Sequence, residues 1–158
     1  MNKQRFRYII FIFFILLQFT VSKFLTEYKI NIDFMYLILL YFIMRKSYIK
    51  AIIAAVLIGW LSDYFTGSII GIYGFSRVSV TFILYGALNY IDPKRLISAF
   101  LIIFTSLTLS NLIANLFLLF IYNFNFNIDL LMIQPFLTAM TGILLLTSKS
   151  VRKAINVH

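Results

Sequence analysis

The 158-residue sequence contains no cysteine, which excludes disulfides, thiolate metal sites and thiol nucleophiles. Its single histidine is the last residue, His158. A catalytic relay or an imidazole metal site needs a rigidly held histidine, and a chain end does not supply one. Acidic residues number five against 14 Lys and Arg, and only 12% of all residues are charged. The acids stand alone, with no Glu/His, paired-Asp or Ser/His constellation for an intramembrane hydrolase. No catalytic residue, metal site or cofactor is expected. Hydrophilic domains, low-complexity stretches and long linkers are missing as well.

Apolar residues make up 62% of the chain, with 18 Phe and 10 Tyr among them. A spanning helix needs about 20 apolar residues at ~1.5 Å each. Six segments fit that pattern, at about 8–25, 30–44, 47–65, 71–91, 96–122 and 128–147. The expected fold is therefore an all-α integral membrane protein, six transmembrane helices in one bundle, with 1–158 as a single transmembrane domain. The fifth segment is long enough to tilt or extend beyond the lipid. The sixth is interrupted by Pro135, and Asp33 lies near the outer end of the second. The aromatic residues are read as lipid-facing bulk and interfacial anchors.

The N-terminal Lys3, Arg5 and Arg7 before an apolar run imitate a secretory signal. The first alanine is Ala51 and only Thr20-Val21-Ser22 approximates a processing site, so the segment is read as a retained first span. A net charge of +9 would suit nucleic acid if it formed a basic face on a water-exposed fold, but the basic residues flank apolar segments. Nucleic acid is not expected as a partner; membrane lipid is. Three basic residues lie in the N-terminal tail, three in the second connection (Arg45, Lys46, Lys50), two in the fourth (Lys94, Arg95) and three in the C-terminal tail (Lys149, Arg152, Lys153). The opposite side carries Lys23 and Lys29. Positive charge is retained on the cytoplasmic side, so both termini are expected in the cytoplasm, and the connections around Lys23, Gly67 and Asn125 outside.

Between the third and fourth spans, Gly59, Asp63, Gly67 and Gly71 recur every four residues, followed by Gly74. On a helix this spacing places small residues on one face, where backbones approach closely. Gly67 to Gly74 must also form the outer turn, where glycine adopts positive φ cheaply. A tightly packed hairpin and a docking surface for another membrane protein both fit. Asp63 is an acid inside a span and Arg77 lies about two turns into the next, so pairing across the hairpin is expected to offset the cost of burying either alone. Asn111 and Asn115, with Ser106 and Ser110 nearby, share a face of the fifth span. Buried amides hydrogen-bond between helices, and a polar ligand pocket is the other reading of that face. Gln134 and Pro135 are expected to kink the sixth span.

The Gly-x3-Asp-x3-Gly-x3-Gly-x2-Gly hairpin of Gly59, Asp63, Gly67, Gly71 and Gly74, inside a small, basic, cysteine-free six-span chain, resembles the rod shape-determining protein MreD family. Span number, length and charge pattern extend the resemblance over nearly the whole chain, while residue identity is concentrated between positions 55 and 90. The resemblance implies a non-catalytic scaffold in the bacterial plasma membrane, serving cell shape and lateral peptidoglycan synthesis. The partners it implies are MreC and, through it, MreB filaments, RodA and a penicillin-binding transpeptidase. That family is similar in fold to the membrane-embedded substrate-binding subunits (S components) of energy-coupling-factor vitamin transporters, which supplies an alternative function. Those subunits typically dock through an Ala-x3-Ala pattern in the first span. Here that span is bulky throughout, from Phe11 to Gln18.

Overall fold

A computed structural model of the chain describes residues 32–45, 47–67, 69–91, 95–122 and 129–147. The expected first span, both terminal tails and the connections around Lys23 and Asn125 lie outside the described residues. Among the described residues there is no strand. Five α-helices follow one another: α1 Phe34–Met44, α2 Tyr48–Thr66, α3 Ile72–Ala87, α4 Leu96–Tyr122 and, after a π-helix at Asp129–Ile133, α5 Gln134–Thr147. Helices α1 to α5 correspond to the second to sixth expected segments.

Helix ends follow local chemistry. Asp33 caps α1, its Oδ1 accepting from the Tyr36 N–H at 2.9 Å, which starts the helix later than position 30. Gly67 ends α2 in the left-handed conformation at φ 63°, the usual role of glycine after a last helical turn. The end of α3 precedes position 91, because Asn89 and Tyr90 turn back to the carbonyls of Gly86 and Ala87. The last segment changes helical type beside Pro135, from the π-helix at Asp129–Ile133 to α5. Pro135 has no N–H to donate to the preceding turn, and a π-helix in that turn is a known way for a helix to accommodate an irregularity.

Helix α1 is the centre of the bundle. It is short, at 11 residues, yet it touches all four other helices. Tyr36, Leu39 and Ile43 are fully enclosed, and they meet Ala51, Ala55 and Ile58 of α2, Val80 and Leu84 of α3, and Ile103 and Leu107 of α4 in one apolar core. Around this centre each helix packs on the next in sequence. By length and composition, Tyr48–Thr66 and Leu96–Ile121 are apolar and long enough to cross a membrane, while Phe34–Met44 and Leu131–Leu145 are apolar but shorter.

Candidate functional site

The turn between α2 and α3 is built around Asp63, which is completely buried. Its Oδ2 accepts from the Gly71 N–H at 2.7 Å and its Oδ1 from the Tyr73 N–H at 2.9 Å. These N–H groups belong to the first turn of α3, where backbone donors are otherwise unsatisfied and the helix dipole favours a negative charge. The carboxylate of one helix thus caps the next. Gly71, at φ 110°, lets the chain turn back onto that carboxylate, a conformation that a side chain disfavours.

Below the cap the two backbones meet. A Cβ on Gly59 would fall onto the Cα of Gly74 and lie 2.5 Å from its amide nitrogen. Since the obstruction is backbone, no side-chain movement relieves it. An added Cβ on Gly74 would lie 3.6 Å from Cδ1 of Trp60, the neighbour of Gly59 on α2. The expected four-residue face is thereby divided into two jobs. Gly59 and Gly74 make the close approach. Gly67 and Gly71 have no heavy atom within 4 Å of an added Cβ, so they serve the turn through positive φ and not the packing face.

Arg77 is 3% exposed, and its ion pair is with Asp33, at 2.5 Å between Nη2 and Oδ2. The expected pairing with Asp63 is replaced because both Asp63 oxygens are occupied by the α3 backbone. Arg77 also donates through Nη1 to the Ile58 carbonyl at 3.0 Å and lies over the Tyr36 ring, 5.8 Å from its centroid. Asp33 is itself tied to α5, its backbone N–H donating to Thr138 Oγ1 at 3.1 Å. One charged pair thereby fastens α1, α2, α3 and α5 together. Asp33, Tyr36 and Thr138 were not singled out from the sequence as site residues. The available signal was an acid immediately before the apolar run of α1, at a helix-capping position.

A third group of polar contacts joins the remaining helices. Ser76 and Ser110 share a hydrogen bond of 3.2 Å between α3 and α4. Asn111 donates to Gln134 Oε1 at 3.2 Å between α4 and α5. Asn115 is buried on the same face one turn further along α4, and Ser106, also buried, lies one turn before Ser110. Thr81 donates back to the Arg77 carbonyl at 2.7 Å.

In this arrangement every carboxylate oxygen of Asp33 and Asp63 accepts a hydrogen bond, and both acids clamp one helix to another. Among the described residues no three His, Asp or Glu side chains gather where they would hold a metal ion. The described architecture is thus an all-helical bundle with an apolar core, many exposed apolar side chains and buried polar contacts that fix helix against helix. The chain matches no protein-family model, no curated protein and no solved structure.

Proposed function

We propose that this chain is a non-catalytic membrane scaffold of the bacterial cell-elongation machinery, a six-span plasma-membrane protein of the MreD family with both termini cytoplasmic. In this reading it binds MreC and through it serves MreB, RodA and a penicillin-binding transpeptidase. One observation carries the proposal: the five residues of the Gly59, Asp63, Gly67, Gly71, Gly74 pattern all act within a single hairpin. Two make the backbone contact, two supply the turn and one caps the following helix.

The membrane part of the reading rests on the surface. The outward stripe of α2 is Ile49, Ile53, Leu57, Trp60 and Tyr64, all more than half exposed, and apolar patches of that extent suit lipid better than water. Hydroxyls on the helices turn inward on their own backbone: Ser62 donates to the Ile58 carbonyl, Thr66 to Ser62, Thr105 to Leu101 and Thr108 to Phe104. That satisfies them within their own helices, as a hydrocarbon surrounding would require. The 27-residue α4 extends about 40 Å at ~1.5 Å per residue, more than the ~30 Å of a hydrocarbon core.

Purifying the tagged chain from a native bacterial membrane tests the proposal. MreC and peptidoglycan-synthesis proteins are expected to come with it. An ATPase pair in their place moves the chain to the vitamin-transporter reading, and neither set removes the scaffold assignment. Reporter fusions at the C-terminus and at Gly67 are expected to report cytoplasmic and outer positions respectively; an outer C-terminus overturns the six-span topology.

A further inference from the structure

The exposed positive charge of the described bundle is gathered at one end. Arg45 closes α1, Lys50 lies in the first turn of α2, and Arg95 stands immediately before α4. Tyr48, at the start of α2, meets Phe82 and Tyr85 near the end of α3 edge-on, with ring centroids 5.7 and 4.8 Å away. That contact sets the α1–α2 connection beside the one that leads from α3 to Arg95. Lys50 and Arg95 are exposed. Arg45 is half-buried and held by Tyr41, whose hydroxyl accepts from Nη1 at 3.1 Å and whose ring centroid lies 5.5 Å from the guanidinium carbon. In sequence the two connections hold Arg45, Lys46, Lys50, Lys94 and Arg95 against a single acid, Asp92. The opposite end is built otherwise. Its α2–α3 turn has no basic residue and exposes Ile69 and Ile70, while the carboxylate there, Asp63, is wholly enclosed.

We propose that this basic end binds the headgroup of an anionic phospholipid, whose acyl chain lies along the outward stripe of α2. Charge alone would suit any polyanion, and the adjoining surface selects among them. Beside Lys50 the exposed side chains are Ile49, Ile53 and Leu57, and beside Arg95 they are Leu96 and Ile97. An occupant that satisfies both kinds of surface carries negative charge and a long apolar body in one molecule. The lengths agree. Trp60 stands 10 residues beyond Lys50 on α2, about 15 Å at ~1.5 Å per residue, which is half of the ~30 Å hydrocarbon core and so the depth of one leaflet. Clustered Lys and Arg at the end of an apolar helix attract anionic lipid in this way. The phenols of Tyr41, Tyr48 and Tyr85 suit the level at which headgroup gives way to chain. The inference rests on the membrane reading above and adds to it one lipid class at one end of the bundle.

The chain supplies its own reporter, because Trp60 is its one tryptophan and is 56% exposed on that stripe. The full chain is placed in phosphatidylcholine bilayers in which phosphatidylglycerol with brominated acyl chains, a contact quencher of tryptophan fluorescence, replaces a rising fraction of the lipid. Brominated phosphatidylcholine is the matched control. At low salt phosphatidylglycerol is expected to occupy the site about three- to tenfold more strongly than phosphatidylcholine, and molar salt is expected to shrink that preference. Lys50→Gln with Arg95→Gln, at two exposed positions, should bring the ratio close to one with helicity unchanged by circular dichroism. The charge-keeping pair Lys50→Arg with Arg95→Lys should retain it. No preference in the unmodified chain, or one that the glutamine pair keeps or the charge-keeping pair loses, overturns the proposal. Loss of the preference to millimolar inorganic phosphate also overturns it, by marking a site for a free anion. A chain that does not enter bilayers overturns the membrane reading as well, whereas one that enters without preference overturns this inference alone.

Discussion

The α2–α3 hairpin and the seat of α1 solve the same problem, a buried charge among apolar helices, in opposite ways. In the hairpin, Asp63 is satisfied by backbone N–H groups only 8 and 10 residues away, and close packing is backbone on backbone at Gly59 and Gly74. In the seat of α1, the Asp33 carboxylate caps its own helix through Oδ1 but finds its counter-charge 44 residues away in Arg77, and its backbone N–H donates to Thr138, 105 residues away. The cap of the hairpin needs no other part of the chain to complete it, whereas the polar contacts of α1 form only when α3 and α5 are both in place. A local solution tolerates no change in residue size; a distant one tolerates size but not loss of either charge.

The largest effect is expected from bulk at the backbone contact. Gly59→Leu drives its side chain into Gly74, an obstruction that repacking cannot relieve, and should destabilise by about 3 kcal/mol or more. Size-exclusion profiles and recovered yield in detergent would read this as loss of the monodisperse protein. A variant with wild-type yield and melting would mean that the hairpin is held by side chains after all, and the contrast with α1 would fail.

Breaking the distant pair comes close behind. Arg77→Ala and Asp33→Ala are each expected to cost about 3–5 kcal/mol, because each leaves an uncompensated buried charge. In a double-mutant cycle followed by unfolding, the double change should cost much less than the two added together. Full additivity would show that the residues act separately. Substituting Asp63→Ala strips the cap from two N–H groups and should cost about 2–4 kcal/mol. Pairing it with Arg77→Ala should give nearly additive losses, since Asp63 and Arg77 serve different partners.

The smallest effect distinguishes turn from packing. Gly67→Ala or Gly71→Ala should cost about 1–2 kcal/mol through the left-handed backbone alone. A leucine at either position should be no worse than alanine in the same unfolding assay, because no atom lies within 4 Å. If leucine were much worse, these glycines would belong to a contact face and the division of labour in the hairpin would be wrong.

The same contrast explains what was legible in the sequence. The helical run of each described segment follows from apolar composition and length, and the hairpin from a repeat within 16 residues. Reading Gly67 and Gly71 as part of the packing face failed because a four-residue spacing says nothing of where one helix stops. Once Gly67 turns left-handed, Gly71 no longer shares a face with Gly59. Arg77 was legible as a buried charge needing a partner, but the nearest acid in sequence was not the partner. Asp63 faces donors that carry no sequence signature, since any residue supplies an N–H. Asn111 and Asn115 announce a polar face by spacing, yet the choice of Gln134 as acceptor depends on how α4 meets α5, which no local pattern encodes.

The 44-residue separation of Asp33 and Arg77 also sets an order of events at the ribosome. At ~5–20 residues per second, their emergence is separated by about 2–9 s. The hairpin is complete soon after Tyr73 is made, but α1 leaves the exit tunnel carrying an acid whose counter-charge does not yet exist. Arrival of Arg77 is then the step that pairs it, and the newborn chain turns a loosely placed helix into its fixed centre.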